Sequence, residues 1–306
     1  MAHAEKKTYS TGAWLFIGPA FIVLLLVGIV PLIFAFWTSL QEFVLSKAHL
    51  KGAWLGIWPI YDAKIIGLQH YFDLFSNQSF KEALGRSFFF LLVNLPIQMV
   101  LGLAIALVLH RPGNEITKGV ARVCLVIPLA TTFAVVGLMG RLLFNDNFGL
   151  VSYVCQHVFG QRLEWLADSQ LAFVSVSLMD IWQWTPFCAL VLYSSLTMVP
   201  PEIEEAAKLE TDQWWHVLWK VQLPFLLPGL TAILILRTAD ILKMFDVVFT
   251  MTRGGPGSAT ELISIYIQRI GFRAFEQGLA SAQAIVLLIL TIILSRIYIR
   301  FVYREV

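Results

Sequence analysis

The chain has 306 residues, 58% of them hydrophobic and only 14% charged, with a mean hydropathy of +0.74. A soluble domain carries about 25% charged residues, so this composition excludes a water-covered globule and reads as an integral membrane protein. A net charge of +2 gives no basic surface for nucleic acid, and Cys124, Cys155 and Cys188, without close spacing, argue against a disulfide framework or a metal site.

A bilayer core needs roughly 20 apolar residues per helix. Spans are expected at 13–40, 84–109, 119–144, 171–198, 224–245 and 279–301, giving an all-α membrane protein of six transmembrane helices. The first is too long for a signal-peptide core and no small-residue cleavage site follows it, so it reads as an uncleaved helix after a short cytoplasmic segment, 1–12. Pro31, Pro96, Pro128, Pro186 and Pro228 fall inside spans and predict kinked helices whose freed backbone groups find partners on neighbours. Pro224 is expected to open the fifth span. Lys6 and Lys7 before the first span, and Arg296, Arg300 and Arg304 ending the last, favour cytoplasmic termini. Lys47, Lys51, Lys64, Arg269 and Arg273 on the opposite side weaken that signal. The segment 199–223 then faces the cytoplasm, while 41–83, 145–170 and 246–278 lie outside. None is long enough for a sizeable domain, and no internal repeat is visible.

The most amphiphilic stretch is "EAAKLETDQWWHVLWKVQLP", from Glu205 to Pro224. The pattern from Pro201 is helical, with Glu202, Glu204 and Glu205 in the first turn, where acids favour the positive end of the helix dipole. By spacing alone it reads equally as a surface helix seating Trp214 and Trp215 among headgroups.

Glu205-Ala206-Ala207, then Thr211, then Val221-Gln222-Leu223-Pro224 is similar to the EAA loop of binding-protein-dependent ABC importer permeases. That loop has the form E-A-A, three residues, Gly, nine residues, I-x-L-P. Two further segments carry the resemblance toward the carbohydrate (MalF-type) branch: "GLQHYFDLF" from Gly67, with His70 where Asn is usual, and "WQWTPF" from Trp182. A third is "MTRGGPGSATELISIYIQRIGF" from Met251. The resemblance implies a type I importer permease fold and a loop of two short helices docking on a cytoplasmic ATPase through Glu205, Ala206, Ala207, Thr211, Leu223 and Pro224. It also implies a second, similar permease subunit, two ATP-binding subunits, an extracytoplasmic solute-binding protein, and residence in the cell inner membrane. The loop Gly254-Gly255-Pro256-Gly257 would reach toward the binding protein; taken alone it is an ordinary tight turn, without the G-K-[ST] of a phosphate loop. Thr211 departs from the family glycine. If the elbow still needs a positive φ, which the preserved spacing to Leu223-Pro224 favours, threonine holds it under strain.

Charged residues inside spans point to function. Arg237, Asp240 and Lys243 on the fifth span are expected to line a substrate pathway, with Asp180, Gln183 and Trp184 on the fourth and Asn94 on the second. Sugars ask for aromatic platforms beside donors and acceptors. An internal ion pair of Arg237 with Asp240 or Asp180 competes with that role, and Trp182 falls on another helical face, toward headgroups.

An importer permease subunit for a di- or oligosaccharide is the leading reading, with a polyol or glycerol phosphate as alternative cargo. An ATP-independent transporter would carry paired broken helices in inverted repeats, and the sequence has neither. An intramembrane enzyme would need H-E-x-x-H or G-x-S-G chemistry, and no catalytic residue, cofactor or metal site is expected.

Overall fold

The computed structural model describes residues 11–47, 50–54, 58–161 and 163–302. Most of the expected cytoplasmic segment 1–12, with Lys6 and Lys7, and Arg304 at the other end lie outside the described residues. The chain forms two compact units, one of residues up to Ser76 with Arg269–Val286, the other of Asn77–Gln268 with residues from Leu287 on.

In the first unit, helix α1 runs from Thr11–Leu24 through a π-helical turn at Leu25–Ile29 into Val30–Ser39. The most apolar 18 residues of its stretch Phe16–Ser39 have a mean hydropathy of 2.8 and bury no side chain within the chain. A helix apolar all round and unburied demands an apolar solvent. Short strands follow: β1 (Gln41–Glu42), β2 (Leu50–Trp54), β3 (Trp58–Tyr61) and β4 (Lys64–Ile65), paired antiparallel as β1 with β4 and β2 with β3. Helix α2 (Gln69–Ser76) is fastened here, with the Tyr71 hydroxyl 2.7 Å from Ser39 Oγ and His70 Nε2 3.1 Å from the Gln41 carbonyl.

The second unit is built on α3 (Gln78–His110), α7 (Ser169–Leu196) and α9 (Trp214–Leu242). Between α3 and α7 run α4 (Glu115–Ala130), α5 (Phe133–Leu143) and α6 (Leu150–Phe159); α8 (Pro201–Glu210) precedes α9. Beyond α9 come α10 (Asp246–Met251), α11 (Ile263–Gln268) and α12 (Gln277–Val302), whose residues from Leu287 on belong to this unit. Helices α3 and α7 pack so closely at Gly102 that a Cβ there would stand 2.6 Å from the Cys188 Cβ. No larger residue fits without moving one helix.

Among the described residues, four helices are long and apolar enough to cross a bilayer: Phe16–Ser39, Gln78–His110, Trp214–Leu242 and Gln277–Arg300. Glu115–Ala130 and Phe133–Leu143 make a fifth if counted together, bent by 94°. The expected span at 171–198 is a helix of 28 residues, long enough to cross, yet it is absent from that set. Its shortfall is a stripe of polar side chains, Ser175, Ser177, Asp180 and Gln183, all buried inside the unit. The six expected spans therefore each correspond to helix, with one interrupted and one polar.

Two details differ from the sequence expectations. The helix carrying the fifth span starts at Trp214, ahead of Pro224, and passes through a π-helical turn at Leu218–Gln222. A wider turn accommodates the ring of Pro224 and its missing N–H without ending the helix. Thr211 is extended, at φ −153° and ψ 135°, so no positive φ is required of it. In the link between α8 and α9, Thr211 and Gln213 lie in the β region on either side of a bend at Asp212, and a β-branched side chain prefers that region. Thr211 Oγ1 accepts from the Gln213 N–H at 3.2 Å to hold it.

Candidate functional site

A charged knot joins the three central helices of the second unit. Arg237 of α9 donates from Nη2 to both carboxylate oxygens of Asp180 on α7, at 3.0 and 2.9 Å. Its Nε donates to Gln98 Oε1 of α3 at 3.0 Å, and Gln98 Nε2 returns to Asp180 Oδ2 at 2.7 Å. All three residues have 0% exposure. An isolated charge in such surroundings is prohibitively expensive, so the triangle must form as a whole. Of the two pairings that the sequence leaves open for Arg237, the structure forms the one with Asp180. Arg237 Nη1 alone keeps no hydrogen bond, and the Trp184 ring lies 4.3 Å from the guanidinium carbon, a cation–π contact.

Beside this knot lies a cavity of about 230 Å³ at the Lys243 end of α9. Arg237, Trp184, Asp240 and Lys243, four of the residues expected along the pathway, line it together. Asp240 is partnered by Lys243, Oδ1 to Nζ at 2.9 Å, and Lys243 is largely exposed. Phe133, Met244, Phe245, Asp246 and Val247 complete the wall; Phe133 stacks on Trp184 with centroids 6.0 Å apart. Trp184 is thus already engaged by a cation and an aromatic ring, and Phe245 stacks on Phe249 with centroids 4.9 Å apart. Trp182, 40% exposed, lies outside the lining.

Two expected pathway residues sit elsewhere. Asn94 is fully buried and spends its amide on the Phe90 carbonyl at 2.8 Å and Ser177 Oγ at 3.2 Å, holding α3 to α7. Gln183 donates to the Thr131 carbonyl at 3.1 Å, satisfying a backbone group freed where α4 and α5 bend. Neither lines the cavity, and both bond within the protein. Gln98, Phe133 and Phe245 escaped the sequence reading. Gln98 had a signal, since it lies four residues after Asn94 on the same helical face; the phenylalanines had none among so many.

At the opposite end of α9, the amphiphilic loop folds as α8 followed by the first turns of α9. Glu205 and Ala206 are exposed and Ala207 is partly so. Trp214 and Trp219 are also exposed, at 66% and 64%. Leu223 and Pro224 lie within α9 and continue it from the loop. A groove of about 790 Å³ runs here, lined by His110, Arg111, Glu204, Thr211, Asp212 and Trp214 among others. The glycine loop is a compact turn after α10. Gly254 has φ 90°, a region that glycine alone enters freely, and Thr260 Oγ1 ties the loop by bonding the Gly255 carbonyl at 2.8 Å.

With this architecture in hand, the comparisons agree on one class. Residues 98–306 match the family described as the binding-protein-dependent transport system inner membrane component. The chain belongs to that family. It is 29% identical over 287 residues to the trehalose/maltose transport system permease protein MalF of Thermococcus litoralis, covering 94% of this chain and 92% of that one. It is 26% identical to the trehalose transport system permease protein SugA of Mycobacterium tuberculosis, covering 94% and 87%. Among solved structures, a bacterial alginate ABC transporter in complex with an alginate pentasaccharide-bound periplasmic protein superposes with a TM-score of 0.78 at 17% identity, covering 96% of this chain and 94% of that one. The fold is that of a type I ABC importer permease.

Two outcomes follow from the geometry. Arg237→Ala strands the Asp180 charge and should destabilise the protein by about 3–5 kcal/mol, read as a lowered melting temperature in detergent. The double change Arg237→Met/Asp180→Leu should recover most of that loss. Thr211→Gly removes the Oγ1 bond and loosens the unfolded chain, costing about 0.4–1 kcal/mol. Hydrogen exchange at 208–213 should quicken; unchanged protection would mean that the linker owes nothing to threonine.

Proposed function

We propose that this chain is one of two permease subunits of an ATP-driven importer of an uncharged sugar, and that Trp214–Leu242 is its transmission rod. The carrying observation is the continuity of that helix. One end follows directly from the loop that bears Glu205, and the other carries Arg237, Asp240 and Lys243 at the cavity. In this reading Glu205, Ala206, Ala207 and Thr211 meet a cytoplasmic ATPase, and Leu223 and Pro224 pass its displacement into the membrane. The loop Gly254-Gly255-Pro256-Gly257 faces the extracytoplasmic binding protein, and both termini are cytoplasmic. ATP hydrolysis belongs to two partner subunits, and a second, similar permease completes the pathway.

The names of the trehalose and maltose relatives support a sugar as cargo. The cavity chemistry supports an uncharged one. Both lining cations already face carboxylates, Arg237 that of Asp180 and Lys243 that of Asp240, which leaves little attraction for a phosphate. Asp240 and Lys243 offer an acceptor and donors to hydroxyls, while Phe133 and Phe245 suit the C–H face of a sugar ring.

Reconstitution with the partner permease, ATPase and binding protein in proteoliposomes tests this reading. Asp240→Ala should lower sugar uptake by about tenfold, the loss of one charge-assisted hydrogen bond, in a complex that still assembles. Glu205→Lys should leave assembly intact and reduce binding-protein-stimulated ATP hydrolysis. Normal stimulation in the assembled Glu205 variant would refute the coupling role, and undiminished uptake in the Asp240 variant would refute the site.

A further inference from the structure

Glu205 is exposed, but its neighbour Glu204, turned about 100° around the helix, faces inward. Its side chain is 15% exposed. Glu204 Oε2 lies 3.1 Å from Nε2 of His110, the last residue of α3. Its other oxygen, Oε1, accepts from Gln222 Nε2 at 2.9 Å, and Gln222, 6% exposed, stands in the π-helical turn of α9. A carboxylate only accepts, so both neighbours donate to it. One side chain therefore spans three elements: α8 through its own backbone, α3 through His110 and α9 through Gln222.

We propose that Glu204 is the positioning residue that locks α8 to both membrane helices, so that a push on the loop moves α3 and α9 together. This rests on the coupling role given above to the loop. Sequence connects α8 to α9 only through residues 211–213, with Thr211 and Gln213 extended on either side of a bend at Asp212, a soft link that would absorb a small displacement by rotating. Among the described residues, the linker makes no hydrogen bond to α3. A forked carboxylate supplies stiffness at this joint, because its two oxygens sit in one plane and charge-assisted hydrogen bonds are short and directional. The π-helical turn serves the same joint: Gln222 is its last residue, and it presents its amide to Glu204.

The test uses the assembled transporter with spin labels at Val108 on α3 and Leu209 on α8, both exposed, in a background whose native cysteines are replaced by alanine. The unsubstituted joint should give one narrow distance, the same without nucleotide and with trapped ATP. Glu204→Ala should broaden that distribution and lower sugar moved per ATP hydrolysed by about tenfold. The exchange Glu204→Gln/Gln222→Glu keeps one carboxylate and one amide. The amide nitrogen at 204 donates to the carboxylate at 222 while its oxygen accepts from His110, and this pair should restore both readouts. If Glu204→Ala does not assemble, Gln222→Ala removes one arm alone and should give a partial broadening. A narrow distribution with unchanged uptake per ATP in the alanine variants, or an exchange that restores neither readout, overturns the proposal. Should Glu205→Lys prove silent while Glu204→Ala still broadens the distance, the joint stands and the coupling role of the loop falls.

Discussion

An arginine without water must be surrounded, and Arg237 determines what surrounds it. In the apolar interior its charge is tolerable only against Asp180, the remaining acceptor capacity of Asp180 only against Gln98, and each of these comes from a different helix. Replacing such a group by apolar side chains is often neutral for stability, so its value here is in selecting one arrangement. Sliding α3, α7 or α9 by a turn would separate donors from acceptors by more than 5 Å, in a medium where no solvent can substitute. Close contact at Gly102 works to the same end, since small residues let helix backbones approach where hydrophobicity cannot drive them together.

The cavity next to the knot inherits its rigidity. Arg237 holds Trp184 by its ring face, Trp184 supports Phe133, and Asp240 and Lys243 follow Arg237 by three and six residues, Lys243 capping the end of α9. A polar site in a membrane protein thus rests on fixed charges beneath it. The same helix continues through the π-helical turn to the exposed tryptophans at its other end, so the two ends share one backbone.

Much of this was legible in the sequence because hydrophobic runs and the EAA spacing are long signals. The charged residues of the fifth span were found by their cost in lipid, which holds whatever they pair with; the partner itself depended on tertiary geometry. Asn94 and Gln183 illustrate the limit, since polar residues in a span look alike whether they face a substrate or satisfy a neighbouring backbone group. Thr211 shows another: a preserved spacing does not preserve a conformation, and two extended residues around a bend at Asp212 turn the chain without a positive φ. Glu204 was hidden beside a recognised motif, where one step around the helix separates an outward from an inward side chain.

The order in which the buried triangle is synthesised imposes a condition on biogenesis. Gln98 leaves the ribosome first, then Asp180, and Arg237 only 57 residues later. An aspartate at the centre of a nascent helix opposes insertion by about 2.5–3.5 kcal/mol, and α7 lacks the apolarity of the other spans to offset it. Left alone, this helix has reason to hesitate at the insertion machinery while its neighbours partition into lipid on hydropathy. Its entry is therefore tied to the arrival of α9, and the two helices are expected to leave the translocon as a pair.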